Sequence, residues 1–107
     1  MKNLEIRTWG KLVTVPVCNV LFFQSQGNKT IINMTNGEKH LVAKTLAKYE
    51  DMVADENFYR LHDSWIVNME QIDFYDSTYK KVILTTKEEL SIARRKLSLF
   101  LERYKKK

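Results

Sequence analysis

Apolar residues come in short parcels along this chain, and a turn-forming group closes most of them. Residues 11–15 alternate polar and apolar, Val20–Gln26 is a continuous apolar and aromatic run, and residues 30–34 are β-branched and follow Gly27-Asn28-Lys29. Asn36-Gly37, set between residues 31–35 and 38–42, is a strong hairpin signal because both residues tolerate the positive φ of a tight turn. Residues 72–75, 80–85 and 89–92 repeat the pattern, with turns at 76–78 and 86–87. Such parcels are too short for long amphipathic helices and suit meanders of antiparallel strands.

Two stretches read as helical. Thr45 can cap a helix running to about Met52, with Leu46, Tyr49, Met52 and Val53 on one face, until Asp55-Glu56-Asn57 breaks it. From Arg94 onward, Leu97, Phe100, Leu101 and Tyr104 form one stripe. Between them, Phe58–His62 and residues 65–67 read as extended segments around a polar corner, Asp63-Ser64. The expected fold class is therefore mainly β, with helices that are short or terminal. Its 107 residues, 44% hydrophobic and 29% charged, suit a single globular domain spanning 1–107. No internal repeat divides it.

Several function classes fall away. His62, Asp63 and Ser64 carry the letters of a hydrolase triad, but neighbours in an extended segment face opposite ways, whereas a triad is assembled from distant positions. His40, His62 and Cys18 lack the short spacings of a zinc site. Gly27-Asn28-Lys29-Thr30 ends like a phosphate loop, but lacks its upstream glycine and the following helix. The expectation is a non-enzyme with no metal and no cofactor. Residues 1–10 hold no apolar signal core, and no apolar stretch approaches the roughly 20 residues of a membrane span, so a cytoplasmic location without membrane contact is expected. Cys18, within an apolar run, is expected as a small buried hydrophobe, and Phe22, Phe58, Phe74 and Trp65 as core.

Charge points toward a partner. The net charge is +5, and residues 94–107 hold seven of the eighteen Lys and Arg, while residues 48–78 hold eight of the thirteen acids. A segregated basic field suits a polyanion, although a solvated surface with a soluble basic tail would look the same. Three polar clusters interrupt the apolar strands: 26–30, 60–64 and 94–96. Lys29, Arg60, Arg94, Arg95 and Lys96 supply cations, and Asn28, Asp63, Ser64 and Asn68 supply neutral or acidic hydrogen-bonding groups, as phosphate and base-edge contacts require. Against that, Arg60 and Asn68 can serve only local corners, and His62 reads as an inward-facing, satisfied residue. No pair of adjacent amphipathic helices offers a helix-turn-helix, and the order of elements is not that of an RNA-recognition βαββαβ domain.

These clusters carry a resemblance. The chain resembles the LytTR DNA-binding domains of bacterial response regulators over residues 10–104. Val20-Leu21-Phe22-Phe23-Gln24-Ser25 is similar to a strand of that family, Gly27-Asn28 to its turn, and Leu46–Met52 to its leucine-bearing helix. The most specific stretch is Phe58-Tyr59-Arg60-Leu61-His62-Asp63-Ser64-Trp65-Ile66-Val67-Asn68, and Leu90-Ser91-Ile92-Ala93-Arg94-Arg95 resembles the closing segment. Asp63 stands where the family often has Arg, Lys or Asn, which bears on base preference. Ala93 replaces the usual Ser, which removes a hydroxyl.

The resemblance implies an elongated assembly of small antiparallel sheets whose loops enter successive major grooves of double-stranded DNA. It implies binding to direct repeats, commonly as a dimer, in a regulator of transcription. By motif position, Asn28, Lys29, Asp63 and Arg94 would face the groove, Ser64, Arg95 and Lys96 would contact phosphates, and Arg60, His62 and Asn68 would support that surface. Family members commonly follow a receiver domain in a two-component system. Residues 1–10 are too few to form one, so a stand-alone regulator or an output portion is expected. The competing classes are a non-catalytic protein-interaction module and an RNA-binding module.

Overall fold

The computed structural model describes residues 2–105. Its strands are β1 (Asn3–Thr8), β2 (Lys11–Pro16), β3 (Val20–Gln26), β4 (Lys29–Met34), β5 (Lys39–Val42), β6 (Phe58–His62), β7 (Trp65–Asn68), β8 (Ile72–Asp76), β9 (Lys81–Leu84) and β10 (Glu89–Ser91). Helix α1 (Leu46–Met52) lies between β5 and β6, and α2 (Arg94–Lys105) ends the described chain. The strands form three antiparallel sheets: β1-β2, a central β5-β4-β3-β7-β6, and β10-β9-β8. The assembly is elongated, 43 × 26 × 25 Å. The mainly β expectation, with few helices and a C-terminal one, is met.

The central sheet is buried on both faces, which is why β3 reads as a continuous apolar run rather than an alternating one. One face packs against β1-β2 and α1 through Leu4, Ile6, Val20, Phe23, Ile32 and Tyr49. Phe23 and Tyr49 stack there with ring centroids 4.9 Å apart. The other face packs against β8-β9-β10 and α2 through Leu21, Leu61, Val67, Val82, Leu84 and Phe100. A register shift between Val20 and Phe22 lets β3 feed both cores. Thr45 caps α1 as its composition suggests, its Oγ1 accepting from Lys48 N at 3.4 Å.

Three expectations need correction. Strand β1 lies in a segment for which no strand was expected. Its residues alternate, with Leu4, Ile6 and Thr8 buried and Asn3, Glu5 and Arg7 exposed, so it has the period of a one-sided strand. Cys18 is exposed, not buried. After Pro16 the chain makes a 3-10 turn, Val17–Asn19, that turns Val17 inward and Cys18 outward. Phe74 is 48% exposed rather than core. The β8–β9 register shifts between Ile72 and Phe74, so Phe74 does not inherit the inward position that Ile72 occupies.

Candidate nucleic-acid interface

Two turns meet at one end of the central sheet. Strand β3 runs antiparallel to both β4 and β7, with Gln26 opposite Lys29 and Gln24 opposite Trp65. The C-terminal end of β3 therefore lies beside the start of β4 and the start of β7. Gly27-Asn28 is a two-residue hairpin loop, and Gly27 has φ 62°, a value L side chains rarely adopt. The Asp63-Ser64 turn joins β6 to β7, and Ser25 N donates to Ser64 O at 2.8 Å, tying the two turns together.

The third cluster is brought in by α2. Ala93 N donates to Leu61 O at 2.8 Å, and Lys96 N to Ala93 O at 2.8 Å, so the first turn of α2 is anchored to β6. Trp65 Nε1 donates to Ser91 O at 2.9 Å, fastening the end of β10 to the start of β7. Phe100, fully buried, pins the helix to the core. On these joined turns Asn28, Lys29, Asp63, Arg94 and Arg95 are all exposed, and Ser64 and Lys96 are half-buried.

Asp63 and Arg95 are paired across this surface, Arg95 Nη2 donating to Asp63 Oδ1. That hydrogen bond, and the charge of Arg95 with it, holds the Asp63 carboxyl below the usual carboxylate range. Arg60 supports the corner from below, its Nη2 donating to Asp63 O at 2.8 Å and its Nη1 to Glu50 Oε1 at 2.9 Å.

His62 is not the inward-facing residue expected. Leu61 takes the core position, fully buried, and His62 is half-buried beside it. There its ring stacks on Trp65 with centroids 4.5 Å apart, and its Nδ1 accepts from Ser64 N at 3.1 Å. In the neutral ring the proton is then on Nε2. Asn68 is 5% exposed at the far end of β7. Its Nδ2 donates to Val20 O at 2.9 Å and its Oδ1 accepts from Glu70 N at 3.0 Å, so it joins β7 to β3 and caps the 3-10 turn Met69–Gln71.

Sequence reasoning missed three contributors. Trp65, read as core, is a half-buried bridge between sheets. Tyr59 donates its hydroxyl proton to Lys96 O at 3.3 Å, and Arg103 donates from Nη1 to Phe58 O at 3.1 Å, so both bind α2 to β6. Only the polar handles of Trp65 and Tyr59 hinted at this, since a buried indole N–H or phenol needs a partner. Among the described residues no group of three or more His, Cys, Asp or Glu could hold a metal ion, and no helix is long and apolar enough to cross a membrane.

Comparison with known proteins decides the family. The profile of the LytTr DNA-binding domain matches residues 10–105. The chain belongs to the LytTR family. A solved structure similar to it, a LytTr DNA-binding domain from Bacillus cereus, is 21% identical, covers 96% of each chain and superposes with a TM-score of 0.80, which shows the shared fold. No curated protein sequence matches the chain. As a member of that family, this LytTR domain is a DNA-binding domain.

Proposed function

We propose that this LytTR domain is the output unit of a bacterial, cytoplasmic transcription regulator and reads double-stranded DNA with the three joined loops. Asn28, Lys29, Asp63 and Arg94 face base edges in successive major grooves. Ser64, Arg95 and Lys96 contact phosphates, and Arg60, His62 and Asn68 hold that surface in place. The observation that carries this reading is the convergence of 27–29, 63–64 and 94–96 on one surface, through the Ser25–Ser64 and Ala93–Leu61 backbone bonds and the Arg95–Asp63 pair. Four of those residues are cations, and the one carboxylate among them is already paired. A protein-interaction surface needs no such excess, because partner-facing cores are depleted in charge. Binding to direct repeats as a dimer follows the habit of the family.

The test is fluorescence anisotropy with duplex DNA at increasing KCl, using sites selected from a random duplex pool. Phosphate contacts give log K falling linearly with log salt, at about −0.9 per neutralised phosphate. Affinity indifferent to salt, or a preference for single-stranded RNA over the selected duplex, would refute the proposal.

A further inference from the structure

A cleft of about 240 Å³ lies between the end of α1, strand β6 and α2, away from the Asn28-Lys29 turn. Its apolar lining includes Val53, Phe58 and Ile66, each at most 7% exposed. Three cations, Arg60, Lys96 and Arg103, also line it, against one carboxylate, Glu50. Lys96 and Arg103 are about two helical turns apart and therefore share a face of α2. Both approach the Tyr59 ring, at 5.9 Å and 5.1 Å from its centroid.

Arg60 is the unusual member. Two of its nitrogens are occupied by Glu50 Oε1 and Asp63 O. Its Nε is buried and has no hydrogen-bond partner among the described residues. A buried donor left unmatched is costly, and an acceptor entering the cleft would satisfy it.

We propose that this cleft binds a small organic anion, a carboxylate or phosphate carried on a compact apolar body. The anionic oxygens accept from the Lys96 and Arg103 side chains, and from Arg60 Nε once the guanidinium shifts to expose it, while the apolar body lies against Ala54 and the Tyr59 ring above the buried Val53, Phe58 and Ile66. A bare inorganic anion would leave Ala54 and the Tyr59 ring uncovered, and a phosphate of the DNA backbone brings only polar sugar to them. The site does not require the DNA reading, although Lys96 is also proposed there as a phosphate contact. Arg60 nevertheless joins the two, because the guanidinium that would receive the anion also holds the Asp63 carbonyl.

The inference is tested on the full chain without DNA, so that its failure and that of the DNA reading remain separate. Phenyl phosphate and benzoate are titrated into the ¹⁵N-labelled protein and followed by NMR, with inorganic phosphate and benzyl alcohol as the charge-only and apolar-only probes. For ligands of this size the expected dissociation constant is on the order of millimolar. Saturable shifts are expected at Val53, Ala54, Tyr59, Lys96 and Arg103 and at the Arg60 Nε–H. Arg103→Met keeps an apolar stem and loses the charge, and it should weaken phenyl phosphate roughly tenfold, as loss of a charge-assisted contact implies. Lys96→Met should do the same, and keeps the test open if Arg103→Met fails to fold. Inorganic phosphate binding as well as phenyl phosphate, absence of a saturable response, or unchanged affinity in a folded charge variant would each overturn the proposal.

Discussion

Replacing Asp63 with Asn tests how the surface proposed to face DNA manages its charge. In the free protein the Asp63 side chain engages Arg95, and the two side chains are 70% and 64% exposed. Asp63→Asn removes the carboxylate that offsets Arg95, so the phosphate contact proposed for Arg95 acts with its full charge beside Lys29, Arg94 and Lys96. In salt-dependence terms the slope of log K against log salt should steepen by about 0.9. Between 200 and 50 mM KCl the affinity of the variant should therefore rise about 3.5-fold more than that of the wild type, since a fourfold salt change raised to the power 0.9 gives that factor. Anisotropy at five or more salt concentrations on one duplex measures it. Arg95→Met leaves Asp63 unpaired and should make the slope shallower, while the double variant, with the wild-type net charge, should return to the wild-type slope. A slope unchanged by Asp63→Asn would mean that neither residue meets the phosphate field, and the assigned surface would be wrong.

Three further outcomes are expected. Arg94→Ala should cost about 1–3 kcal/mol on a selected site and relax one base position, whereas deleting residues 105–107 should weaken all duplexes alike; equal losses on specific and random DNA would make Arg94 a phosphate clamp. Of that tail, residues 106 and 107 lie outside the described residues. Asn68→Ala strands the Val20 carbonyl and removes the cap on Glu70 N, so urea unfolding should show a loss of about 2–3 kcal/mol with an unchanged m-value; a loss below about 0.5 kcal/mol would show that water replaces both bonds. Asp55 and Asp63 are both held below 3.8, chiefly by hydrogen bonds from Lys2 and Arg95. Lowered carboxyl values stabilise the fold above 3.8, and that contribution is lost as pH falls through the lowered values. The stability difference between wild type and Asp55→Asn should accordingly be constant near neutrality and shrink below pH 3.8, and a difference that grew there would reverse the sign of the argument.

Much of the local structure could be read from residue patterns, because it is set by neighbours in the chain. Asn36-Gly37 marks a hairpin since its geometry needs no distant contact, and Gly37 indeed has φ 93°. Thr45 caps α1 and the Leu97–Phe100 stripe buries α2 for equally local reasons. Strand β1 was also legible in principle, but the charges of Glu5 and Arg7 on its outer face masked the alternation of Leu4 and Ile6. What composition could not supply was juxtaposition. Asp63 and Arg95 are 32 residues apart, and their pairing depends on Ala93 reaching Leu61. The apolar ring of Trp65 suggests a core residue, and only the position of Ser91 turns it into a bridge. Resemblance supplied by motif the loops proposed to face DNA, whereas the cleft around Arg60 draws on α1, β6 and α2 together and has no linear signature.

The pairing of the strands also separates local ladders from one non-local ladder. β1-β2, β3-β4, β4-β5, β6-β7, β8-β9 and β9-β10 each join consecutive strands, so each can zip from its own connection. The β3–β7 ladder is different: Phe22, Phe23 and Gln24 must find Val67, Ile66 and Trp65 across everything between them. Closing that loop carries the entropy penalty that makes non-local pairing slow. The same ladder sets the Gly27-Asn28 turn beside Asp63-Ser64. A chain with every hairpin formed but this one ladder open would keep its local turns and lose the juxtaposition on which the proposed DNA surface depends.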